Sequence, residues 1–242
     1  MSKIKKIFKK ALNISEALFI ISDIRKFTKN NDERFKIKIK NLMPRLNDKT
    51  SETNFDLHYI FHPAWAARII AKTKPEKHID ISSTLHFSTL LSAFVPTEFY
   101  DYRPANITLD NFTSNEADLN NLHFPSGSIA SLSCMHTIEH IGLGRYGDKI
   151  DPRGDLRAIE ELKRVLAKAG TLLFVVPVGR PRIVFNAHRI YSYEQILSYF
   201  SDLELKEFTL ISEKNKKMII NADPSLVKEE NYGCGCFWFT KK

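Results

Sequence analysis

The sequence predicts an α/β domain built on a mostly parallel sheet with helices on both faces. From about residue 55 onward, short apolar runs of strand length alternate with segments in which apolar residues recur at helical spacing. Such alternation is typical of strand–helix–strand units around a parallel sheet. The chain has 242 residues, 43% of them hydrophobic, so it can form one full core and carry an additional segment.

The additional segment is predicted at the N-terminus, as a basic helical extension. Residues 1–50 contain 14 lysines and arginines against 5 acidic residues, whereas the other 192 residues are close to neutral. Apolar residues recur on one helical face near its start: Ile4, Ile7, Phe8 and Leu12. We therefore divide the chain into a basic extension, 1–54, and a domain, 55–242.

The charge of the extension leaves two interpretations open. A basic segment can attract a membrane surface or an acidic partner, and it can also be a solvated arm without a partner. Its lysines are not interleaved with aromatic residues, so we do not expect nucleic-acid binding. The basic start lacks a small-residue cleavage site, so we do not expect a signal peptide.

The cysteines favour a reducing compartment. Cys134, Cys234 and Cys236 are odd in number, which does not suit a disulfide framework, so we expect a cytoplasmic protein. The spacing of Cys234 and Cys236 is shorter than the C-x-x-C spacing of zinc sites. We interpret these two residues as half-buried members of a strand.

The first half of the domain is predicted to begin with a helix near Pro63, since proline suits the first helical turn. The apolar run at 78–82 predicts the first strand, and it closes on a polar turn. Helical spacing returns at 87–94. A second strand follows at 97–100 and ends at Asp101, which completes a strand–turn–helix–strand unit of the nucleotide-binding type.

The second half of the domain supplies the remaining elements. Strands are predicted at 129–134 and 171–176, on either side of a helix at 155–167. Asp155 is interpreted as the N-cap of that helix. A further helix around 196–200 precedes a final pair of strands, predicted at Leu203–Ile211 and Gly235–Thr240.

Four motifs in this half carry a family resemblance. Residues 118–179 run from an acid-bearing loop through a strand, the segment His136-Thr137-Ile138-Glu139-His140, a helix and a second buried strand. This order resembles the second half of the class I S-adenosylmethionine-dependent methyltransferases. More narrowly, the segments 138–155, 185–192 and 232–238 resemble one methyltransferase-like family described as a domain of unknown function, over about three quarters of the chain.

The resemblance implies both a fold and an activity. The fold is a Rossmann-like, mostly parallel seven-stranded sheet with helices on both faces, preceded here by the basic extension. The activity is methyl transfer from S-adenosylmethionine to an oxygen or nitrogen of a small polar acceptor, such as a sugar or nucleotide-sugar in surface-polysaccharide biosynthesis. The alternative is a non-catalytic module that keeps the fold and lacks the reaction.

The cofactor candidates follow the first two predicted strands and the acid-bearing loop. Asp80-Ile81-Ser82-Ser83-Thr84 takes the place of the family's D-x-G-x-G loop, with Ser82 and Thr84 where glycines are expected. Side chains there restrict the backbone conformations that glycine permits. Asp101 is predicted to accept hydrogen bonds from the ribose hydroxyls. The adenine contacts are predicted at Asp118 and Leu119, although Asp118 also suits a loop cap.

The catalytic candidates are His136, Glu139 and His140, at the carboxyl end of the strand 129–134. His140 is a candidate base, since an imidazole accepts protons near neutral pH; capping of a short helix is the structural alternative for Glu139 and His140. The same residues match the zinc-peptidase pattern H-x-x-E-H. That pattern requires a continuous helix, whereas glycines follow within four residues, so we expect no metal here.

Two polar clusters are predicted to bind the acceptor. The first lies in a glycine-rich loop after the histidines, and the second follows the strand 171–176, at the same end of the sheet. Guanidinium groups in them suit a phosphate or carboxylate on the acceptor. The predicted acceptor-binding residues are Arg145, Tyr146, Asp148, Asn186, His188 and Arg189.

Overall fold

The computed structural model describes residues 14–29 and 34–242. The chain divides into two compact units, Met1–Asn54 and Phe55–Lys242. The apolar face predicted for the extension lies outside the described residues: Ile4, Ile7, Phe8 and Leu12. Within the described part of the chain, no helix combines the length and the apolar character that a membrane crossing requires.

The first unit contains one long helix among its described residues. Helix α1 spans Ile14–Lys29, and a short 3-10 helix spans Ile39–Asn41. The Lys49 ammonium lies 3.1 Å from the carboxylate of Asp23 and 3.9 Å from the centroid of the Phe19 ring. Because the charged side chains are exposed, this ion pair adds little to stability.

The second unit is built on one large sheet and a separate two-stranded hairpin. The strands of the large sheet are β1 His78–Ile81, β2 Thr97–Asp101, β3 Phe112–Glu116, β4 Ile129–Met135, β5 Leu166–Val178, β8 Leu203–Ser212, β9 Lys217–Ile220 and β10 Gly233–Lys241. The hairpin consists of β6 Arg182–Val184 and β7 His188–Ile190. The order in the large sheet is β3-β2-β1-β4-β5-β10-β8-β9.

The pairing of these strands confirms the predicted Rossmann-like sheet. Strands β1 to β5 pair in parallel, and β10, β8 and β9 continue the sheet by antiparallel pairing. The sheet has eight strands rather than the seven expected. The short edge strand β9 pairs with β8 alone, and its four residues follow a lysine-rich turn that gives little strand signal.

Helices cover both faces of the sheet, as predicted. Helices α2, Leu57–Thr73, and α3, Leu85–Leu91, pack on one face through Trp65, Ile69 and Phe87. On the other face lie α4, Gly154–Val165, and α5, Tyr193–Tyr199, with their own apolar core. Successive residues of β5 alternate between the two cores, which places this strand at the centre of the molecule.

Two predicted helix starts are wrong. Helix α2 begins at Leu57 rather than near Pro63, because the Asp56 side chain caps it by accepting from the Tyr59 amide at 3.1 Å. Pro63 lies inside the helix. Helix α4 begins at Gly154, so Asp155 is not its N-cap but a buried residue of its first turn.

Candidate functional site

A cleft of about 510 Å³ opens at the carboxyl ends of β1, β2 and β4. Open α/β sheets bind ligands at this edge, and the volume suits a small-molecule ligand. Eighteen described residues from six segments of the second unit line it: Tyr59; Ser82, Ser83 and Thr84; Asp101, Tyr102 and Arg103; Met135, His136, Thr137, Glu139, His140, Ile141, Arg145 and Tyr146; Ala187 and His188; and Tyr232.

The turn after β1 reproduces the tight geometry expected of a glycine loop. Ser82 adopts a φ of 55°, in the left-handed region that glycine favours. Its amide and its hydroxyl both donate to the Tyr100 carbonyl, at 2.7 and 3.1 Å. Thr84 has an ordinary φ of −92°, and its hydroxyl accepts from the Phe87 amide, so it caps α3. Both predicted residues line the cleft.

Asp80 does not reach the cleft. It is completely buried in β1, where the hydroxyls of Ser133 and Ser88 donate to its carboxylate. Burial raises the pKa of Asp80 to about 6, although these hydrogen bonds favour the ionised form. The structure therefore assigns Asp80 a role beneath the turn rather than the predicted direct contact with a cofactor.

Asp101 ends β2 and faces the cleft, as the sequence suggested. One carboxylate oxygen accepts from the Arg103 backbone amide at 2.8 Å. The Arg103 guanidinium does not pair with this carboxylate but lies 4.6 Å from the centroid of the Tyr146 ring. The other carboxylate oxygen has no hydrogen-bond partner among the described residues, so it is available to a ligand. In related folds, a carboxylate at a strand end binds the ribose hydroxyls.

The turn after β4 holds a buried ion pair at the inner wall of the cleft. His136 adopts a φ of 56°, and its Nδ1 lies 2.9 Å from Oε1 of Glu139. Both side chains are at most 3% exposed. Burial opposes the charged forms, but Cys234 and Glu139 raise the pKa of His136 to about 10, and hydrogen bonding and charge from His136 lower the pKa of Glu139.

The histidine pattern lies on no continuous α-helix. Only the 3-10 helix Ile138–His140 follows β4 before the glycine-rich loop. His136 and His140 therefore do not lie one α-helical turn apart, and His140 contacts a different part of the molecule. This geometry supports the argument against the zinc-peptidase pattern, and the expectation that His136 and His140 do not share a metal ion in that way stays a prediction.

His140 is held with one ring nitrogen free to act as a base. Its Nδ1 lies 2.6 Å from the Ala187 carbonyl oxygen, which can only accept, so Nδ1 carries the proton. Its Nε2 is then the basic nitrogen, 3.8 Å from Oε1 of Glu139. The ring is partly exposed and lines the cleft.

The glycine-rich loop contributes positive charge and an aromatic ring. Arg145 donates to the Ala187 carbonyl at 3.0 Å, and its guanidinium lies 5.0 Å from the centroid of Tyr146. Arg103 approaches the same ring, so two cations lie next to one aromatic side chain. His188 packs against Tyr232, which directly precedes β10, with ring centroids 5.0 Å apart. Arg145, Tyr146 and His188 therefore lie in the cleft as predicted.

Three predicted acceptor-binding residues lie outside the cleft. Asp148 shapes the loop, since its carboxylate accepts from the amides of Gly142, at 2.8 Å, and Gly144, at 3.3 Å. Arg189 is buried; its guanidinium lies 3.4 Å from Asp155 and donates to the Ile141 carbonyl. Asn186 is also not among the lining residues. The polar groups of Asp148 and Arg189 are bonded to the backbone and to the buried Asp155 carboxylate, so these two residues hold the loop in place.

The adenine contacts stay a prediction. Asp118 and Leu119 do not line the cleft. The Asp118 carboxylate accepts from the Asn120 amide at 2.8 Å, which is the loop-capping alternative considered from the sequence. The Leu119 side chain is buried in the core, so its backbone alone could meet a ligand.

Sequence reasoning missed four aromatic or cationic residues of the cleft: Tyr59, Tyr102, Arg103 and Tyr232. Tyr59 comes from the first turns of α2, where the sequence pattern indicates packing only. Tyr102 and Arg103 directly follow Asp101, where the sequence carries no binding motif. Tyr232 lies in a segment that carried the family resemblance, and that resemblance was the one signal able to identify it.

The fold is shared with methyltransferases of known structure. A 1,6-didemethyltoxoflavin-N1-methyltransferase of Burkholderia thailandensis, solved with bound S-adenosylhomocysteine, matches with a TM-score of 0.54 and 7% identity over 75% of this chain and 79% of that one. A candidate methyltransferase of Bacillus halodurans C-125 matches with a TM-score of 0.52 and 14% identity over 74% and 98% of the two chains. These likenesses show a class I methyltransferase fold.

A comparison of the sequence with family models identifies the family of this chain. A family model described as "Caenorhabditis protein of unknown function, DUF268" matches residues 93–230, which is more than half of the chain. The chain belongs to the DUF268 family. The DUF268 match contains Asp101, the histidine turn and the glycine-rich loop, whereas the turn after β1 and Tyr232 lie outside it. No curated protein matches the sequence.

Proposed function

We propose that this protein is an S-adenosylmethionine-dependent methyltransferase. The observation that carries the proposal is the cleft at the carboxyl ends of β1, β2 and β4, bordered by a left-handed Ser82 turn and the Asp101 carboxylate. The class I methyltransferase fold supports it, since the Burkholderia thailandensis enzyme of the same fold contains S-adenosylhomocysteine. The left-handed backbone at Ser82 makes a tight turn after β1, which allows a ligand to approach the main chain closely.

The residues present fit this cofactor. The Ser82–Thr84 turn would hold its amino-acid part, and the free carboxylate oxygen of Asp101 would accept from the ribose hydroxyls. When bound, S-adenosylmethionine supplies an activated methyl group. The protein would bring the acceptor atom in line with that group, and this positioning accounts for much of the rate of such reactions.

His140 is the proposed base for the acceptor. Its protonated Nδ1 is fixed on the Ala187 carbonyl, so Nε2 is available to take the proton from an acceptor hydroxyl or amine. Glu139, 3.8 Å from Nε2, would stabilise the imidazolium that forms. Because a base is useful for an acceptor that loses a proton, this arrangement favours transfer of the methyl group to an oxygen or nitrogen atom.

The acceptor is proposed to be a small anionic molecule of the sugar or nucleotide-sugar class. Arg103 and Arg145 supply positive charge to the cleft, and guanidinium groups bind phosphate or carboxylate well. Tyr59, Tyr146 and Tyr232 provide aromatic surface against which a sugar ring or a base can pack.

The first experiment measures cofactor binding. Purified full-length protein is titrated with S-adenosylhomocysteine in a calorimeter, and we expect a micromolar Kd, about −8 kcal/mol. A protein that releases no heat up to millimolar ligand would be a non-catalytic module of the same fold. Injection of the same ligand into buffer without protein is the control for the heat of dilution.

The second experiment tests the base. His140→Gln should keep its affinity for S-adenosylhomocysteine and lose about 10²–10⁴-fold in methyl transfer rate, measured with radiolabelled cofactor and a panel of nucleotide-sugars. His86→Gln, an exposed histidine on α3 outside the cleft, is the control. Equal rates in both variants would remove His140 from the reaction.

A further inference from the structure

Three metal-binding side chains converge at the inner wall of the cleft. One ring nitrogen of His58, one of His136 and the sulfur of Cys234 all lie within 4.8 Å of one another. The residues are 4%, 7% and 0% exposed, respectively. His58 belongs to α2, His136 to the turn after β4 and Cys234 to β10, so tertiary packing brings the three together.

The topology explains this convergence. His136 donates its amide to the Val175 carbonyl, and Cys234 pairs with Pro177, so both flank the end of β5. Cys234 packs in the core under α2, the helix that carries His58. Both strand cysteines are completely buried on this face, with their sulfur atoms 3.9 Å apart, rather than half-buried as the sequence suggested.

Two histidine nitrogens of this cluster are left without partners. Nε2 of His58 and Nε2 of His136 are buried and have no hydrogen-bond partner among the described residues. Buried polar atoms in native proteins are nearly always paired, so two such orphans next to a thiol indicate a missing ligand. A metal ion would coordinate both nitrogens and the sulfur at once, and the protons that the Cys234 thiol and His136 carry in its absence would be released to solvent.

We propose that His58, His136 and Cys234 bind a Zn²⁺ ion. Zinc prefers imidazole and thiolate ligands in tetrahedral geometry, and at Zn–N and Zn–S distances of about 2.1 and 2.3 Å its ligand atoms lie about 3.3–3.7 Å apart. Closing the cluster onto the ion therefore shortens no pair by more than about 1.5 Å. The proposal goes beyond methyl transfer and does not depend on it.

Glu139 orients the His136 ring toward the proposed metal position. Its Oε1 lies 2.9 Å from Nδ1 of His136, which leaves Nε2 as the nitrogen available to the ion. Metal-binding histidines almost always donate their second N–H to a carboxylate, a backbone carbonyl or water, and Glu139 is such an acceptor. Three protein ligands leave a fourth position for water, as in catalytic rather than structural zinc sites, and His136 itself lines the cleft.

The proposed ligand set differs from the peptidase pattern in the sequence. His140 is not part of the cluster. Its Nδ1 is hydrogen-bonded to the Ala187 carbonyl, and its Nε2 lies 3.8 Å from Oε1 of Glu139. The expectation that no metal binds was drawn from sequence spacing around His136 and around the two strand cysteines. An argument from sequence spacing could not include His58, because His136 and Cys234 lie far from it in the sequence.

Metal content and ligand type are measured on the full chain, expressed without a histidine tag. We expect one Zn²⁺ per chain after dialysis against zinc and removal of unbound metal. Replacement by Co²⁺ should give a thiolate-to-cobalt charge-transfer band and the intense visible bands of a tetrahedral ion. X-ray absorption should show one sulfur and two imidazoles.

Matched variants identify the ligands. Cys234→Ser should lose the charge-transfer band, whereas Cys236→Ser, a buried cysteine 3.9 Å away, should keep it. His58→Gln should lose stoichiometric zinc, whereas His62→Gln, one turn further along α2 and also buried, should keep it. Glu139→Gln should weaken zinc affinity about 10–100-fold.

Several results would overturn the proposal. Full-length protein that takes up less than stoichiometric zinc, or a cobalt form without thiolate bands, would exclude the site. Loss of zinc in His140→Gln together with its retention in Cys234→Ser would assign the metal to the peptidase pattern instead. If a ligand variant does not fold, the absorption spectra of the wild-type protein decide the question. Failure to bind S-adenosylhomocysteine would not bear on any of these results.

Discussion

At the scale of single residues, Asp101 is the strand-end carboxylate that lines the cleft. Its neighbour in register on β3, Glu116, also ends its strand but does not line the cleft. The two carboxylates therefore share the same local structure and differ in what they face. This pair allows the contribution of a single carboxylate to be separated from general charge effects.

We predict that Asp101→Asn weakens binding of S-adenosylhomocysteine without unfolding the protein. Loss of charged hydrogen bonds to the ribose should cost roughly 1.5–3 kcal/mol, or about 10–100-fold in Kd. Calorimetry on Asp101→Asn and on the control Glu116→Gln measures the Kd for S-adenosylhomocysteine. Equal affinity in the two variants would mean that Asp101 does not hold the ribose.

A second residue-scale feature is the buried chain from His78 through Ser133 to Asp80. Nε2 of His78 lies 2.9 Å from the Ser133 hydroxyl, which donates to Asp80. Burial lowers the pKa of His78 from 6.5 to about 3, and burial raises the pKa of Asp80 from 3.8 to about 6. Both groups are therefore neutral in the folded protein over part of the acid range.

The pH dependence of stability follows from these two shifts. As pH falls from 6.5, the unfolded chain protonates His78 before the folded protein does, which lowers the free energy of unfolding. As pH falls from about 6 toward 3.8, the folded protein protonates Asp80 before the unfolded chain does, which raises it. The two effects oppose each other between about pH 6 and 4.

We predict that Asp80→Asn makes the protein more sensitive to acid. Removing the Asp80 contribution leaves that of His78, so the free energy of unfolding should fall with pH more steeply than in wild type, by about 1.4 kcal/mol per pH unit. Urea unfolding at pH 6, 5 and 4 measures the difference. The exposed variant Asp110→Asn should keep the wild-type slope, and the prediction fails if Asp80→Asn keeps it too.

At the scale of elements, the loop between the histidine turn and α4 is held by a buried ion pair. Arg189 of β7 lies 3.4 Å from Asp155 of α4, and its guanidinium donates to the Ile141 carbonyl at 2.6 Å. The Tyr191 hydroxyl donates to the same carboxylate at 3.0 Å. These contacts join the hairpin, the helix and the loop that carries Arg145 and Tyr146.

We predict that Asp155→Asn destabilises the protein by about 3–5 kcal/mol, because it leaves the buried Arg189 cation uncompensated. Glu204→Gln, which breaks an exposed pair with Lys206, should cost less than about 1 kcal/mol. Denaturant unfolding measures both. The double variant Asp155→Leu, Arg189→Met should recover much of the loss, and a single variant as stable as Glu204→Gln would contradict this account.

At the scale of the whole molecule, charge and candidate site belong to different units. The 14 lysines and arginines of residues 1–50 account for the basic character of the chain, whereas the cleft residues that the structure describes all lie at position 59 or beyond. The proposed catalytic unit is thus nearly neutral. The basic segment remains open to a role in attracting an acidic partner or membrane surface.

We predict that deleting residues 1–54 leaves binding of S-adenosylhomocysteine unchanged, because none of the residues described in that segment, 14–29 and 34–54, lines the cleft. Calorimetry on the shortened and full-length proteins tests this, with circular dichroism as the check of folding. If the segment acts through its charge, salt should reduce its effect in the full-length protein, since charges are screened over about 8–10 Å. A folded protein of residues 55–242 that no longer binds the ligand would contradict the prediction.

The sequence by itself determined the fold class and the position of several site residues along the chain. Apolar periodicity located the parallel strands, and polar residues directly after them placed Ser82, Asp101 and His140 at the ligand-binding edge. These features are local: a strand end and the residue that follows it are adjacent in sequence. The family resemblance added the glycine-rich loop.

Only the tertiary structure decided which polar side chains face the cleft and which are buried. Asp80 and Arg189 resemble binding residues in sequence, yet Ser133 and Asp155 occupy their polar groups. Tyr59 and Tyr232 come to the same cleft from opposite ends of the domain. The direction of a side chain depends on strand register and on what packs against it, and both depend on contacts between residues far apart in the chain.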